Sequence, residues 1–575
     1  MISGLKIGNF KAFGPAQEIP LRPLTLIFGP NSAGKSSIIQ SLLLARHIQD
    51  TGNVDAHQTT LGGAAVDLGG FGRFVHGRIV TREATIQFSI PRSQLRGRFH
   101  DLDGFETLTM AYEIGVHGAS IAITSIALFL DGNETRRIVP FGAGTFAIEK
   151  APIELANPLA FHDYATGMQK IVAELHASEG PKALEQWSQM FGAPDRMELV
   201  EELSAARFKL NGLALGITNP LPPKAFYTTD DLGPEEHSAD SNPREFFAHV
   251  SELGEDELHH GQAMYRWFET DNLSREERDA AFHPHETPTS RAKAIRFAVE
   301  CVIEAANEAI ANGLAVIDYL GPLRWIPPRF IPDGEQFDAS WMAGGGDDWQ
   351  RLRREPKLLS RVNHFLQEVL RSRYRLECQR FALVESSDGS TRESPPDLQS
   401  ARVAEETASP TAQRTRRDDE TITTLSIVDS DSGLRVSHRD VGTGISQLLP
   451  VLVNAAGSEE RLIMIEQPEL HLHPALQAEL GDVFIESALG ENKNTFLIET
   501  HSEHLILRLL RRIRESNAHR QPKNLPELKP EDVAILFVEP TDSGSIVKHL
   551  RVDERGRLID EWPGGFFEES FDEMF

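Results

Sequence analysis

The sequence predicts an α/β fold in which helices cover both faces of a mostly parallel sheet. Residues 24–44 read as a short apolar strand, a glycine-containing loop and a helix with apolar residues at helical spacing. Residues 421–575 alternate short apolar strands with helical patterns, which is the order of elements in a doubly wound sheet. Because most of the chain separates these two segments, its two ends have to meet in one sheet.

Residues 1–148 are predicted to form a β-rich N-terminal lobe around the first strand, loop and helix. Short runs of alternating or apolar residues are separated by turn signals such as Asp131-Gly132. The strands predicted for this lobe cover residues 5–10, 24–28, 84–90, 108–114, 121–130 and 135–141.

A mainly helical and acidic insertion is predicted for residues 149–313. Within it, residues 230–258 contain ten acidic side chains against one arginine. Such a run is typical of a solvated or flexible face, and a docking surface for a basic partner is the alternative.

Residues 314–385 are predicted to form a connector and a basic helical segment. Residues 320–329 are rich in proline, whereas residues 350–380 carry nine Lys or Arg against three Glu on a predicted helix. This helix is either a charged exposed face or a local site for nucleic acid or an acidic partner. Residues 386–420 have almost no large apolar residues and are predicted to be a disordered loop, which leaves residues 421–575 as the C-terminal lobe.

Composition restricts the class of protein. The 575 residues carry a formal net charge of -27, which argues against a protein that coats nucleic acid through its overall charge. Two cysteines, Cys301 and Cys378, give neither a disulfide framework nor a metal-ligand spacing, so a reduced, cytoplasmic protein is expected. No apolar run reaches the length of a membrane span, and no membrane partner is expected.

The loop after the first predicted strand has the pattern G-x-x-x-x-G-K-S. Such a loop turns backbone N–H groups around a phosphate at the positive end of the following helix. Lys35 is then expected to reach the β- and γ-phosphates of ATP, and the Ser36 hydroxyl is expected to bind Mg²⁺. The predicted nucleotide-binding residues here are Gly29, Pro30, Asn31, Ser32, Ala33, Gly34, Lys35, Ser36 and Ser37.

An acid for the metal is found far along the chain. Residues 462–466 form an apolar strand that ends in Glu466, and an acid at the end of a neighbouring strand is what a Mg²⁺ site beside a phosphate loop requires. We therefore predict Ser36 and Glu466 as the metal residues.

Two further segments lie at the places along the chain that are expected of an ATPase site. A glycine loop opens a predicted helix about twenty residues before the strand of Glu466, and its N–H groups and hydroxyls could receive a second phosphate; an ordinary helix start is the alternative. His501 follows the next strand, where its imidazole would lie near a γ-phosphate. The residues predicted from the glycine loop are Gly442, Thr443, Gly444, Ser446 and Gln447.

Together, these motifs resemble the ABC-type ATPase head in the branch that includes chromosome-maintenance, repair and overcoming-lysogenization-defect ATPases. The form of residues 466–474, E-Q-P-E-L-H-L-H-P, is similar to AAA-family ATPases of bacterial anti-phage defence loci, as are residues 320–324 and 562–568. The resemblance implies a homodimer or higher oligomer in which each protomer's ATP is covered by the other's glycine loop.

The chain departs from that family at one catalytic position. Where most such heads have a glutamate as general base, Gln467 follows Glu466. An amide orients water but does not take its proton, and loss of a general base costs about 10² to 10⁴ in rate. Hydrolysis is therefore expected to be slow, unless Glu469 substitutes. The predicted catalytic residues are Glu466, Gln467, Glu469 and His501.

The resemblance supports more than one function. Our first interpretation is a nucleotide-gated switch that controls a partner effector, such as a nuclease or toxin encoded nearby, in anti-phage defence. The alternatives are a repair-type ATPase acting on DNA ends and an ATPase-nuclease of the overcoming-lysogenization-defect type. A nuclease would need a separate Glu and Asp-x-Asp cluster, and the pattern at Asp429 and Asp431 is better explained as a turn. A transporter motor is disfavoured by the large insertion.

Overall fold

The computed structural model describes residues 2–94, 105–117, 120–142, 145–149, 207–211, 226–229, 308–327, 339–382 and 421–563. The predicted loop of residues 386–420 and most of the predicted insertion lie outside these residues. Twenty strands and eight α-helices are named below, numbered in chain order.

A six-stranded sheet joins the two ends of the chain, as the sequence predicts. Five of its strands are parallel, and the last pairs antiparallel at one edge. In spatial order the strands are β13 (Ile317–Leu320), β17 (Leu462–Glu466), β18 (Thr495–Glu499), β3 (Leu24–Phe28), β19 (Val533–Glu539) and β20 (Ile546–Leu550). The N-terminal strand β3 therefore lies between two strands that are synthesised near the C terminus.

Both faces of this sheet are covered, because successive side chains along each strand point to opposite sides. In β17, Leu462 and Met464 pack into the same apolar core as helix α1 (Lys35–Thr51). Ile463 and Ile465 pack into a second core on the other side. That core contains residues of α6 (Thr443–Gly457), α7 (Pro474–Leu489) and α8 (Glu503–Asn517). The α/β, doubly wound arrangement predicted from the sequence is thus confirmed.

A nine-stranded antiparallel sheet builds the N-terminal lobe and shares its core with α1. In spatial order its strands are β12 (Phe226–Thr229), β11 (Arg207–Asn211), β10 (Thr145–Glu149), β9 (Asn133–Gly142), β8 (Ser120–Leu130), β7 (Thr107–His117), β6 (Ala84–Pro91), β1 (Gly4–Gly8) and β2 (Gln17–Pro20). Within the predicted helical insertion, the structure describes β11 and β12, which extend this sheet. It also describes a helical segment at residues 308–315, which ends two residues beyond the predicted end of the insertion.

Smaller elements surround these two sheets. A two-stranded ribbon and a short helix follow α1, whereas three helices and a three-stranded sheet connect β13 to α6. They are β4 (Gln58–Thr59), β5 (Gly63–Asp67), α2 (Phe71–Phe74), α3 (Ala339–Ala343), α4 (Gly346–Arg354), α5 (Pro356–His364), β14 (Tyr374–Ala382), β15 (Thr421–Asp429) and β16 (Arg435–Val436).

One secondary-structure prediction is wrong. The basic segment of residues 350–380 is not a single helix, because the helical part ends with the π-turn Phe365–Val369 and β14 follows. Polar and apolar residues alternate along β14, and the strand pairs over its whole length with β15. Long-range pairing with a strand on the far side of residues 383–420 therefore decides the structure here. The Asp429 side chain accepts bonds from the amides of Asp431 and Ser432, which confirms a turn at that position.

Candidate functional site: a phosphate loop facing two strand-end carboxylates

The phosphate loop begins where β3 ends and leads directly into α1. Its backbone requires glycine at two positions, since Gly29 has φ +143° and Gly34 has φ +98°. A Cβ at Gly29 would also lie 2.4 Å from the Val538 carbonyl oxygen, and one at Gly34 would lie 2.4 Å from the Ala12 Cβ. Conformation and packing together therefore fix both glycines of the motif.

The first turn of α1 has the features that favour an anion. No side chain caps it, so the chain supplies no side-chain acceptor for the N–H groups that begin the helix. Lys35 is 4% exposed, and its Nζ donates to the carbonyls of Gly29 (3.1 Å) and Pro30 (2.8 Å). The ammonium thus lies within the curve of the loop, while Asn31 and Ser32 are exposed at its tip.

Two glutamates face this loop from the ends of neighbouring strands. In the sheet register Glu466 pairs with Glu499, and Glu499 pairs with Ile27 of β3. The Ser36 hydroxyl donates to Glu499 Oε2 at 2.7 Å, and Glu466 Oε1 accepts from the Tyr319 hydroxyl at 2.8 Å. Both carboxylates are buried, with Glu466 7% and Glu499 5% exposed.

The protonation of these two carboxylates is shifted by the same causes. Burial, followed by repulsion from Glu499, raises the pKa of Glu466 to about 7, although hydrogen bonds from Tyr319 and Ser36 oppose the rise. Burial also raises the pKa of Glu499, against the hydrogen bond from Ser36 and the charge of Lys35. A cation between them would remove the penalty of ionising both.

Ser36 therefore fits the Mg²⁺ role predicted for it. Its hydroxyl lies beside two carboxylates, and hard oxygen donors of this kind suit Mg²⁺. Among the residues that the structure describes, no group of three or more His, Cys, Asp or Glu side chains has the arrangement of a self-contained metal site. A nucleotide phosphate would have to complete the coordination of the metal.

Gln467 and Glu469 have different surroundings. Gln467 has φ +47°, and its N–H donates to the Glu499 carbonyl at 2.7 Å. Glu469 is 8% exposed and accepts from the Thr500 hydroxyl at 2.9 Å and from the His501 N–H at 2.6 Å. The Glu469 carboxylate therefore holds the loop that carries His501, rather than standing free to accept a proton from water.

His501 begins a loop that is fixed at both sides. The next residue, Ser502, caps α8 by accepting from the Leu505 N–H at 3.2 Å. Burial, followed by repulsion from Lys35, lowers the pKa of the half-buried His501. The imidazole is therefore neutral at pH 7, and a neutral imidazole can donate one hydrogen bond to a phosphate.

The glycine loop divides into an exposed part and a buried part. Gly442 and Thr443 are exposed at the start of α6, which no side chain caps. Ser446 instead donates to the His438 carbonyl at 2.6 Å, and Gln447 donates to the Arg324 carbonyl at 3.1 Å. The sequence-based expectation that the Ser446 hydroxyl faces a phosphate thus differs from its position, because Ser446 is 1% exposed and points inward.

Sequence reasoning assigned no role to Tyr319 or Arg324 and did not single out Glu499. Arg324, 5% exposed, donates through Nη2 to the carbonyls of Glu466 (2.9 Å) and Gln467 (3.1 Å), and so links the glycine loop to the end of β17. The available signal for Glu499 was an acid that ends the strand just before His501. Nothing local pointed to Tyr319.

Three segments of the chain match family models. Residues 4–65, which include β3 and the phosphate loop, match a model described as an AAA domain, and residues 391–506 match an AAA ATPase domain. Two segments of the chain are thus similar to AAA-family ATPase domains. Residues 528–575 match a domain of unknown function, DUF3696, and no curated protein sequence matches the chain.

Solved structures similar to this chain include two Smc head domains. One is the Smc head of Pyrococcus furiosus bound to the C-terminal domain of ScpA, with 10% identity, coverage of 100% of this chain and 98% of that chain, and a TM-score of 0.33. The other is the SMC head of Thermotoga maritima, with 9% identity, coverage of 96% and 99%, and a TM-score of 0.33. Within the described residues, no helix is long and apolar enough to cross a membrane.

Proposed function

We propose that this chain binds ATP with Mg²⁺ at residues 29–37 and hydrolyses it slowly. The observation that carries the proposal is the position of Ser36 at the open start of α1, with its hydroxyl on a strand-end carboxylate. A phosphate bound by the loop and a metal bound by Ser36 would then be neighbours. That juxtaposition is what ATPase chemistry requires.

The chain's own groups have distinct roles in this proposal. Lys35 pairs with the phosphates, and the neutral His501 donates to the γ-phosphate. Mg²⁺, when bound, neutralises phosphate charge, and Ser36 and Glu466 would hold it. Gln467 orients the attacking water without taking its proton, which makes the ATP-bound state long-lived.

We further propose that ATP pairs two copies of the chain. Gly442 and Thr443 are exposed at an uncapped helix start, where the N–H groups can receive a phosphate of another protomer. Binding of ATP in one protomer would then be coupled to contact with the other protomer, so that dimerisation depends on bound ATP.

The paired state is proposed to control a partner effector, a nuclease or toxin encoded nearby, in cytoplasmic anti-phage defence. Support for this role is the resemblance of residues 466–474 to ATPases of defence loci. Co-purification of the neighbouring gene products with the chain, in ATP and without it, tests the partnership. Recovery that does not depend on ATP would contradict a nucleotide gate.

The Lys35→Ala variant tests nucleotide binding. Because hydrogen bonds to charged groups are worth about 1.5 to 3 kcal/mol, the affinity for a labelled ATP analogue should fall on the order of 10- to 100-fold. Lys6→Ala removes an exposed lysine paired with Glu18 and serves as the control. Equal affinity in Lys35→Ala, with an unchanged circular dichroism spectrum, would remove the basis of the proposal.

A further inference from the structure

The strand order places Glu499 closer to the phosphate loop than Glu466. Glu499 ends β18, which is the immediate neighbour of β3, whereas Glu466 ends β17, one strand further away. An acid on the intervening strand therefore lies between the predicted metal acid and the loop. The position of Glu499 between Glu466 and the loop follows from the order of the strands alone.

Contacts distinguish the two carboxylates in the same way. The Ser36 hydroxyl donates to Glu499 Oε2 at 2.7 Å, whereas Glu466, which the same hydroxyl also approaches, accepts from the Tyr319 hydroxyl on the far side, where β13 ends. Ser36 is the residue of the loop expected to bind the metal. A cation on the Ser36 oxygen would accordingly be within reach of the Glu499 carboxylate.

Charge balance also favours a cation beside Glu499. Among the described side chains, no Lys, Arg or His nitrogen lies within ion-pair distance of its carboxylate, although it is only 5% exposed. The charge of Lys35 acts on this carboxylate from beyond ion-pair distance, but it does not cancel the cost of burying the carboxylate. The neighbouring Glu466 adds to that cost, since it is buried as well.

We propose that Glu499 is a second acid of the Mg²⁺–nucleotide site, and that it holds the metal together with Ser36 and Glu466. This inference rests on the proposed ATP binding and extends it to a residue that the phosphate-loop pattern does not identify. It also gives the site a second carboxylate where Gln467 has removed the usual one.

The Glu499→Gln variant separates this role from a purely structural one. A glutamine oxygen can still accept the Ser36 hydrogen bond, so a residue that only orients Ser36 would tolerate the change. A metal ligand would not, because the negative charge is lost. The matched control is Glu539→Gln, since Glu539 ends β19 on the other side of β3 and pairs with Lys548 at 2.6 Å.

The experiment measures metal and nucleotide separately on the full chain. Mn²⁺ is titrated by electron paramagnetic resonance in the presence of a non-hydrolysable ATP analogue, and analogue affinity is measured in Mg²⁺ and in EDTA. Glu499→Gln should weaken Mn²⁺ binding at least about tenfold, as loss of one charged ligand contact implies. In EDTA it should bind the analogue at least as well as the natural chain, because a negative charge near the phosphates is gone.

The results for Glu499→Gln distinguish a metal ligand from a residue that only supports Ser36. Natural Mn²⁺ affinity and natural Mg²⁺ dependence in Glu499→Gln would overturn the metal role and leave Glu499 as a support for Ser36. Should that variant fail to fold, Glu499→Ala removes both the charge and the ligand oxygen, and unchanged Mn²⁺ binding there would equally contradict the proposal. Failure of the natural chain to bind the analogue would instead refute the proposed function.

Discussion

Gln467 is the residue at which the site's chemistry differs most from that of the ATPases it resembles. Its backbone is held on both sides, by a bond to the Glu499 carbonyl and by one from Arg324. Substitution of the side chain should therefore change the chemistry without displacing the loop. Gln467 is half-buried, so part of the residue remains accessible to solvent.

Gln467→Glu should raise the rate of ATP hydrolysis on the order of 10²-fold, because a carboxylate can take the proton that an amide cannot. Steady-state phosphate release by the purified chain measures it. Glu469→Gln is the comparison, since Glu469 is the other acid suggested as base. If the natural chain hydrolyses ATP fast and Glu469→Gln leaves that rate unchanged, the slow-hydrolysis hypothesis is contradicted.

Glu466 makes the metal-free protein sensitive to pH. Its pKa is raised from 4.5 to about 7 by burial and by Glu499. Below pH 4.5 the group is neutral in both folded and unfolded chains, so it adds no pH dependence. As pH rises from 4.5 to 7, the unfolded chain loses this proton first, and stability falls by roughly 3 kcal/mol in total.

Glu466→Gln should therefore raise the thermal midpoint at pH 8 and leave it nearly unchanged at pH 4, in EDTA and without nucleotide. The glutamine can still accept the bond from Tyr319, so the change removes chiefly the charge. Differential scanning fluorimetry at the two pH values measures it. If Glu466→Gln and the natural chain have equal thermal midpoints at pH 8, ionised Glu466 does not destabilise the folded protein.

At the scale of elements, α7 and α8 are joined by a buried ion pair. Asp482 of α7 accepts from Arg508 at 3.0 Å and from Arg512 Nε at 2.8 Å, and Asp482 is 7% exposed. Because α8 starts at the His501 loop, this contact also supports the position of His501. Removing the acid would leave the buried Arg512 guanidinium with Glu515 as its remaining acidic partner.

Asp482→Asn should lower stability by about 3 kcal/mol and the thermal midpoint by several degrees. The control is Glu18→Gln, because its pair with Lys6 is exposed and should contribute little. Thermal unfolding of both variants provides the comparison. Similar midpoints for the two would show that the Asp482 pair contributes no more than a surface pair.

Prediction from sequence succeeds for elements whose pattern is local. The limits of β3 and β17 agree with the predicted ones. Prediction fails for β14, because its charged pattern is compatible with a helix until β15 pairs with it. Glu499 was missed for a related reason, since sheet order, which places β18 between β17 and β3, is not written in any local pattern.

At the scale of the whole molecule, the proposed pairing depends on the exposed start of α6. A Cβ added at Gly442 would meet no atom within 4 Å, and its φ of -54° suits any residue. Asp and Asn are both good residues for this N-cap position. Both variants should therefore fold, and they differ in charge alone.

Gly442→Asp should abolish ATP-dependent dimerisation, because it places a negative charge where the other protomer's phosphate would bind. Gly442→Asn should retain dimerisation. Light scattering with and without a non-hydrolysable ATP analogue and Mg²⁺ distinguishes them. A natural chain that binds the analogue but stays monomeric would count against the pairing.

The split sheet has a consequence for synthesis on the ribosome. All five residues of β3 are buried in the finished protein, yet β18 and β19, its two neighbours, are translated more than 460 residues later. At about 5 to 20 residues per second, the nascent β3 waits roughly half a minute to a minute and a half for either neighbour. The phosphate loop thus leaves the ribosome long before Glu466 and Glu499, and the proposed metal–nucleotide site can be complete only after β17 and β18 have been translated.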